Sequence, residues 1–400
     1  MAPARVGIIG CGIVGPAIAT LLKQQGFDPI IFERNDAVPM GGIGLGVQSN
    51  GLAVLQRIPG LAESLAARQI THFHAYSALA EDTGVLAQIA NAGHSVFGTK
   101  RSALQDVLVA AAERAQVPVR WGHHLKGLEQ SDDAVTLRFA NGAEETVSFV
   151  VGCDGLHSDT RKALFGDAPA DYTGLVQIGG YSPKPAQYAG ESIAMQIFGD
   201  GQYMVVISVD DDTLGWAITT REAEAKETWR NMDAAAAEAF KQTSPVAQWP
   251  FGAGDILRNA YGMIKYGLYD RPELPTWHNG RVVLIGDAAH PTSPHLGQGA
   301  NQSFEDAGLL ADLLAEHAPA GAAPPSAALA TVFAALEAER IPRTAAVVKK
   351  ARAEGEMRVV SGVQACIERN NFYRKVLNDD KLLRERFVHA PAKKGEGEAK

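Results

Sequence analysis

At 400 residues, 46% apolar and 20% charged, the chain has the composition of a soluble globular protein of roughly two or three domains. A formal net charge of -8 and a pI near 5.8 exclude the basic face of a nucleic-acid binder. Cys11, Cys153 and Cys366 are too few and too scattered for a disulfide framework or a zinc site, which points to a reducing, cytoplasmic setting.

In chain order, Arg5 to Ile9 (RVGII) is a β-branched run long enough for a buried strand. Gly10, Gly12 and Gly15 then supply G-x-G-x-x-G, with Ile13 and Val14 inside the turn, ahead of the apolar-periodic stretch Pro16 to Leu22. Gly10 permits the tight turn, Gly12 lets backbone approach a pyrophosphate, and Gly15 allows close helix-strand packing. The pyrophosphate is expected at the helix N-terminus, where free N–H groups favour anions. Pro16 suits the first helical turn, where a missing N–H is tolerated. A second strand, Pro29 to Phe32, ends at Glu33, whose carboxylate can accept ribose hydroxyls. Arg34 beside it can also meet a 2′-phosphate, so this unit alone leaves FAD and NAD(P) both open. The glycine spacing argues against a signal peptide across Val6 to Leu22, and no later apolar run approaches the roughly 20 residues of a membrane span.

Next come GGIGLG at Gly41 to Gly46, a helical stretch from Asn50 to Leu65 and a strand from Ile70 to Tyr76. A helix is expected from Lys100 to Arg114, where Leu104, Val107, Leu108 and Ala111 recur at helical spacing and Arg101 lies at the start. Val117 to Trp121, Gly127 to Glu129, Val135 to Phe139 and Val147 to Val151 read as strands, with a hairpin turn at Asn141-Gly142. Ser192 to Phe198, Tyr203 to Val209 and Leu214 to Thr219 then form an antiparallel meander, the sign of a second domain inserted into the first. A buried strand returns at Arg281 to Ile285, and helices dominate from Ser303 onward, interrupted by a Pro/Ala/Gly-rich loop at Ala318 to Ala327.

The expected fold class is α/β: a Rossmann-like nucleotide-binding domain, an inserted antiparallel-sheet domain and a helical C-terminal region. The expected boundaries are 1–70, 95–171 and 271–345 for the first, 71–94 and 172–270 for the second, and 346–391 for the last. The polar tail 392–400 is expected to be disordered.

Two further motifs narrow the cofactor. Asp154-Gly155-Leu156-His157-Ser158-Asp159-Thr160-Arg161 follows the strand that ends at Val151; by itself it reads equally well as a type I turn followed by a helix with no cofactor role. Gly286-Asp287-Ala288-Ala289-His290-Pro291 follows the strand at Ile285 and runs on into Gly297-Gln298-Gly299-Ala300-Asn301. Together with the N-terminal turn, these segments resemble the group A flavoprotein monooxygenases, the aromatic hydroxylase family typified by para-hydroxybenzoate hydroxylase. The resemblance covers about two-thirds of the chain. It implies that Asp287 holds the ribityl chain of non-covalent FAD, that Pro291 continues the same cofactor-binding match, and that Gly297, Gly299, Ala300 and Asn301 belong to the loop and helix start beneath the isoalloxazine. It also implies that the Asp154 segment supports both FAD and the pyridine nucleotide, and that Arg101 and Gly46 belong to the FAD site. N–H groups at a helix start can stabilise negative charge on a reduced flavin.

The activity implied is insertion of one atom of O₂, through a flavin hydroperoxide, into an aromatic or polycyclic molecule at the expense of NADH or NADPH. Hydroxylation and epoxidation both remain open. Alternatives are an oxidase or reductase of the same superfamily and a non-enzymatic interaction protein with structural FAD. A flavin-dependent halogenase finds only the fragment Trp216-Ala217-Ile218 of its W-x-W-x-I-P motif.

His72 with His74, and His123 with His124, lack metal-ligand spacing to a third partner, and no metal site is expected. His290 reads as a loop-fixing residue and His295 as a candidate facing the substrate. Tyr203 and Trp216, on successive strands of the meander, are the candidate substrate-wall aromatics, with sheet core as the competing role. No catalytic base is identified.

Overall fold

A computed structural model describes residues 3–38, 42–90, 96–223, 230–318 and 321–387. The expected disordered tail and Gly41 lie outside these residues.

The first layer is a six-stranded sheet in the order His278–Asn279, Val282–Leu284, Phe149–Gly152, Arg5–Ile9, Asp28–Phe32, Val119–Arg120. Its pairings are parallel except at the His278–Asn279 edge. Successive side chains on a strand point to opposite faces, so the β-branched runs are buried twice. Val6, Ile8, Ile31, Phe149, Val151 and Val283 pack on the side of helices Val14–Gln24, Arg101–Arg114 and Gly299–His317. The residues between them, including Ile9, Ile30, Phe32, Val150 and Val282, meet a three-stranded antiparallel sheet on the other side, Leu125–Gln130, Val135–Phe139 and Glu144–Val147.

Two expected elements divide. Val147 to Val151 becomes the end of one strand, Glu144–Val147, and the start of another, Phe149–Gly152, because Ser148 N–H turns to the Arg5 carbonyl at 2.8 Å. The helix expected from Asn50 to Leu65 splits into Ser49–Leu55 and Leu61–Ser64, since Pro59 cannot continue it and Gly60 adopts φ 70°.

The second large layer is an eight-stranded sheet. Ile193–Phe198, Gln202–Ser208 and Thr213–Arg221 form the expected meander within it. Thr213–Arg221 continues into Asp171–Pro183 and Tyr261–Asp270, both antiparallel. At the other side Ile193–Phe198 pairs in parallel with His72–Ser77, which hairpins with Gly84–Ala90. One face is covered by Ala234–Thr243, Pro245–Gln248 and Ala253–Arg258. The other packs on the ends of two C-terminal helices, Ser326–Arg358 and Val363–Leu377, through Phe198, Tyr203, Leu268, Val359 and Tyr373.

Candidate active site

The three motifs meet at the C-terminal ends of the parallel strands. Gly10 has φ 106°, and a Cβ there would stand 2.6 Å from the Cys153 carbonyl oxygen and 2.9 Å from Asp154 Cα. A Cβ at Gly15 would stand 2.0 Å from the Gly10 carbonyl oxygen. The fold itself therefore requires both glycines. Gly12 differs, because a Cβ there would touch nothing within 4 Å. The helix Val14–Gln24 begins without a side-chain cap. A helix start left bare beneath a glycine with open space above it has the free N–H groups and the room that an anionic group requires. Beside it Glu33 Oε2 accepts from Cys11 N–H at 2.8 Å, and Oε1 accepts from Asn35 N–H at 3.0 Å and Asn35 Nδ2 at 2.6 Å. Its carboxylate is thereby fixed against the glycine turn, while Arg34 is exposed.

Asp154 is engaged by its own turn. It accepts from Ser158 Oγ at 2.5 Å and from Thr160 N–H and Oγ1, both at 3.0 Å. Burial raises its carboxyl pKa, and these donors oppose the rise. Ser158 Oγ also accepts from Arg161 N–H at 2.8 Å, capping helix Asp159–Phe165. Arg161 Nη1 then donates to the carbonyls of Ala288 at 3.3 Å and Ala289 at 3.1 Å, so the second motif braces the third.

The Gly286 to Pro291 loop rests on a buried ionic network. Asp306 Oδ2 accepts from Gly286 N–H at 2.9 Å and pairs with His290 Nε2 at 2.5 Å, while its Oδ1 accepts from Arg340 Nε at 2.7 Å. Arg340, fully buried, also pairs with Glu305 and donates to Gln302 Oε1 at 2.7 Å. Burial would raise the Asp306 pKa, but His290 and Arg340 outweigh it and hold the carboxyl below its ordinary value. His290 is thus tied into the scaffold.

Asp287 points away from this network into a cavity, and among the described residues its carboxylate has no hydrogen-bond partner. Surrounding protein raises its pKa against the opposing pull of His290 and Arg101. Arg101 shares the cavity wall at the start of helix Arg101–Arg114, and among the described residues its guanidinium likewise makes no hydrogen bond. Burial lowers its pKa, with Asp287 opposing. A carboxylate and a guanidinium both left with spare hydrogen-bonding capacity suit a polyol-bearing ligand between them.

Asn301 acts as a clamp. Its Oδ1 accepts from Gln48 N–H at 2.9 Å, and its Nδ2 donates to the carbonyls of Gly46 at 3.0 Å and Gly297 at 2.8 Å, tying strand Gly44–Val47 to the loop across the cavity. Gly297 has φ 62°, and the helix Gly299–His317 that follows has no side-chain cap, which leaves the N–H groups at Gly299 and Ala300 beside the cavity.

The cavity is about 570 Å³. Asp287, Arg101, Pro291 and the Gly297 to Ala300 segment line one side, and Gln196, Tyr203, Val205 and Ile207 of the large sheet face them. Tyr203 and Trp216 both border the cavity, but their side chains take opposite faces of the sheet. Tyr203 pairs with Thr219, whereas Trp216 pairs with Val206 and lies in the apolar cluster of Met195, Ile218 and Leu257 on the opposite face. The Trp216 side chain is sheet core.

His295 also reaches the cavity, with Nδ1 3.1 Å from Ser293 Oγ and Nε2 buried without a hydrogen-bond partner among the described residues. Burial and Arg358 push its pKa down to about 3, so it is neutral and a poor proton acceptor. Sequence reasoning missed the contribution of helix Ser326–Arg358. A Cβ at its Gly355 would lie 2.5 Å from His295 Cε1, and Arg358 enters the cavity wall. A glycine in the interior of a long helix was the available signal of such a close approach.

Among the described residues no group of three His, Cys, Asp or Glu could hold a metal ion, and no helix is long and apolar enough to cross a membrane.

Residues 3–351 match the family described as FAD binding domain. The chain is 30% identical to the 3-amino-4-hydroxybenzoate 2-monooxygenase of Streptomyces cremeus, over 87% of this chain and 86% of that protein. It is 28% identical to the 6-hydroxynicotinate 3-monooxygenase of Pseudomonas fluorescens, over 78% of this chain and 83% of that protein. Among solved structures, Klebsiella pneumoniae HpxO complexed with FAD and uric acid superposes with a TM-score of 0.80 at 20% identity, over 93% of this chain and 93% of that one.

Proposed function

The chain belongs to the FAD binding domain family and is an FAD-dependent monooxygenase, and from that premise we propose that it consumes NADH or NADPH and O₂ to oxygenate a small aromatic or polycyclic molecule. The observation carrying this is one cavity with unlike walls. An unpaired Asp287 and Arg101 stand beside the bare helix start at Gly299, opposite the aliphatic side chains of Val205 and Ile207.

Bound FAD would supply the redox and oxygen-activating chemistry. Gly10, Gly12, Ile13, Val14 and Gly15 would hold its pyrophosphate at the start of helix Val14–Gln24, and Glu33 the adenosine ribose, with Arg34 at the rim. Asp287 and Arg101 would bind the ribityl side. Pro291, Gly297, Gly299 and Ala300 would support the isoalloxazine, with the helix-start N–H groups favouring negative charge there. Asp154, Asn301 and Gly46 act at one remove by fixing the turn and the two walls. The apolar face of the large sheet would exclude water from the reacting centre and seat the ring. The aromatic acids named for the two relatives support a small ring as substrate. The three buried, unpaired cysteines support a cytoplasmic setting.

The test is purification followed by a substrate panel. A yellow protein that releases intact FAD on denaturation, and whose NAD(P)H loss and O₂ uptake rise together with an aromatic substrate, is expected. A protein that fails to take up FAD would remove the proposal's basis.

A further inference from the structure

The cavity runs on along the large sheet, away from the cofactor side. Strands Gln202–Ser208, Ile193–Phe198, His72–Ser77 and Gly84–Ala90 lie side by side, and Ile207 pairs with Ala194, Ala194 with Phe73, and Phe73 with Ile89. Directly paired residues share a face, so these four side chains form one row, and all four line the cavity. Three strand spacings make the row about 14 Å long. Tyr203, toward the other end of its strand, stands four residues from Ile207, about 13 Å away.

The row departs from the usual logic of an antiparallel sheet, in which an open face is polar. On the covered face Met195, Ile197, Met204 and Val206 are fully buried against the packing of helix Ala253–Arg258. Ile207, Ala194, Phe73 and Ile89 are equally apolar, yet each is only half-buried. Leu377 and Leu383, from the C-terminal helices Val363–Leu377 and Asp380–Phe387, pack in one apolar cluster with Phe73 and line the same part of the cavity. Ile70 and Val96 add to the lining, joined by a bond from Ile70 N–H to the Val96 carbonyl at 2.8 Å. None of these eight side chains carries a polar atom, so a charged group entering among them would lose its water without gaining a partner. A bare ring beside the flavin side would leave most of the row uncovered. Ala194, the smallest member, leaves a trough between Ile207 and Phe73.

We propose that this row is a gallery for an apolar substituent: the substrate is an aromatic ring bearing an uncharged hydrocarbon extension, which lies along Ile207, Ala194, Phe73 and Ile89 while the ring occupies the cofactor end of the cavity. The inference rests on the monooxygenase reading and adds to it the class of substituent that the substrate carries.

The test uses FAD-loaded protein and a series of 4-alkylphenols from methyl to hexyl, with binding read from the change in flavin absorbance. Dissociation constants should fall about fourfold for each added methylene, the gain expected of burying it. The hexyl chain ended instead by a carboxylate should bind at least about tenfold more weakly than hexylphenol. Ala194→Leu fills the trough and should abolish the gain for the longer chains while 4-methylphenol still binds. Ile89→Asn, on the edge strand of the sheet, repeats the test if Ala194→Leu does not fold, and should cut the hexyl gain by about tenfold. A chain-length dependence that survives both substitutions, an equal loss for short and long chains, or no binding of any probe overturns the proposal. FAD content and NAD(P)H-dependent O₂ uptake are measured on the same samples. Chain-length-dependent binding without O₂ uptake strikes the monooxygenase reading and leaves the gallery standing, whereas O₂ uptake indifferent to chain length strikes only the gallery.

Discussion

Replacing Asp287 with alanine separates cofactor binding from folding. The Asp287 carboxylate has no hydrogen-bond partner among the described residues, while its neighbour Asp306 carries the loop through Gly286, His290 and Arg340. Asp287→Ala should therefore leave the FAD-free protein as stable as the parent, within about 0.5 kcal/mol as for residues outside any network. FAD binding should suffer instead. A charge-assisted hydrogen bond is worth about 1.5 to 3 kcal/mol, so affinity should fall roughly ten- to a hundredfold. The pH dependence has a definite sign. The surrounding protein raises the Asp287 pKa in the free protein, and FAD favours the ionised form. The contact is therefore complete above that raised pKa and weakens as pH falls through it; Asp287→Asn should flatten the profile. FAD fluorescence titration at several pH values, with thermal melts of the FAD-free protein, measures both quantities. Unchanged FAD affinity in Asp287→Ala, or a loss matched by an equal loss of stability, would refute the reasoning.

The last two glycines of the first motif should behave oppositely: Gly12→Ala folds but binds FAD weakly, whereas Gly15→Ala, with its Cβ 2.0 Å from a carbonyl oxygen, loses the fold, as circular dichroism and FAD titration would report. Trp216→Ala should lower stability by about 3 to 5 kcal/mol in denaturant melts, as for a large core aromatic, without a selective rise in substrate KM. Asp306, held below its ordinary pKa, contributes stability that is present above the unfolded carboxylate pKa and lost as pH falls through the folded value. Asp306→Asn should accordingly reduce the acid sensitivity of unfolding measured by denaturant melts from pH 7 downward.

The cofactor motifs were legible because their constraints are local. Gly10 and Gly15 answer to atoms within a few ångströms, and the strands beside them carry an uninterrupted apolar run because both faces are covered. The large sheet was less legible. Asp171–Pro183 contains Gly174, Gly179, Gly180 and a terminal proline, which break the alternation of a strand, and its partner Tyr261–Asp270 was missed with it. Tyr203 and Trp216 were assigned one wall because composition does not give register. Their pairing partners put them on opposite faces. Arg340, Glu354 and Arg358 on the long helix look in sequence like a solvated charged face, and only tertiary packing shows them buried against Asp306, Tyr203 and Tyr373.

The most direct test of the central claim is turnover under ¹⁸O₂ with NAD(P)H and a substrate that stimulates O₂ uptake, followed by mass spectrometry of the product. One ¹⁸O atom per product molecule, with product matching NAD(P)H consumed, is the result expected of this monooxygenase. Unlabelled product, or O₂ recovered as peroxide while the organic molecule is merely dehydrogenated, would contradict it.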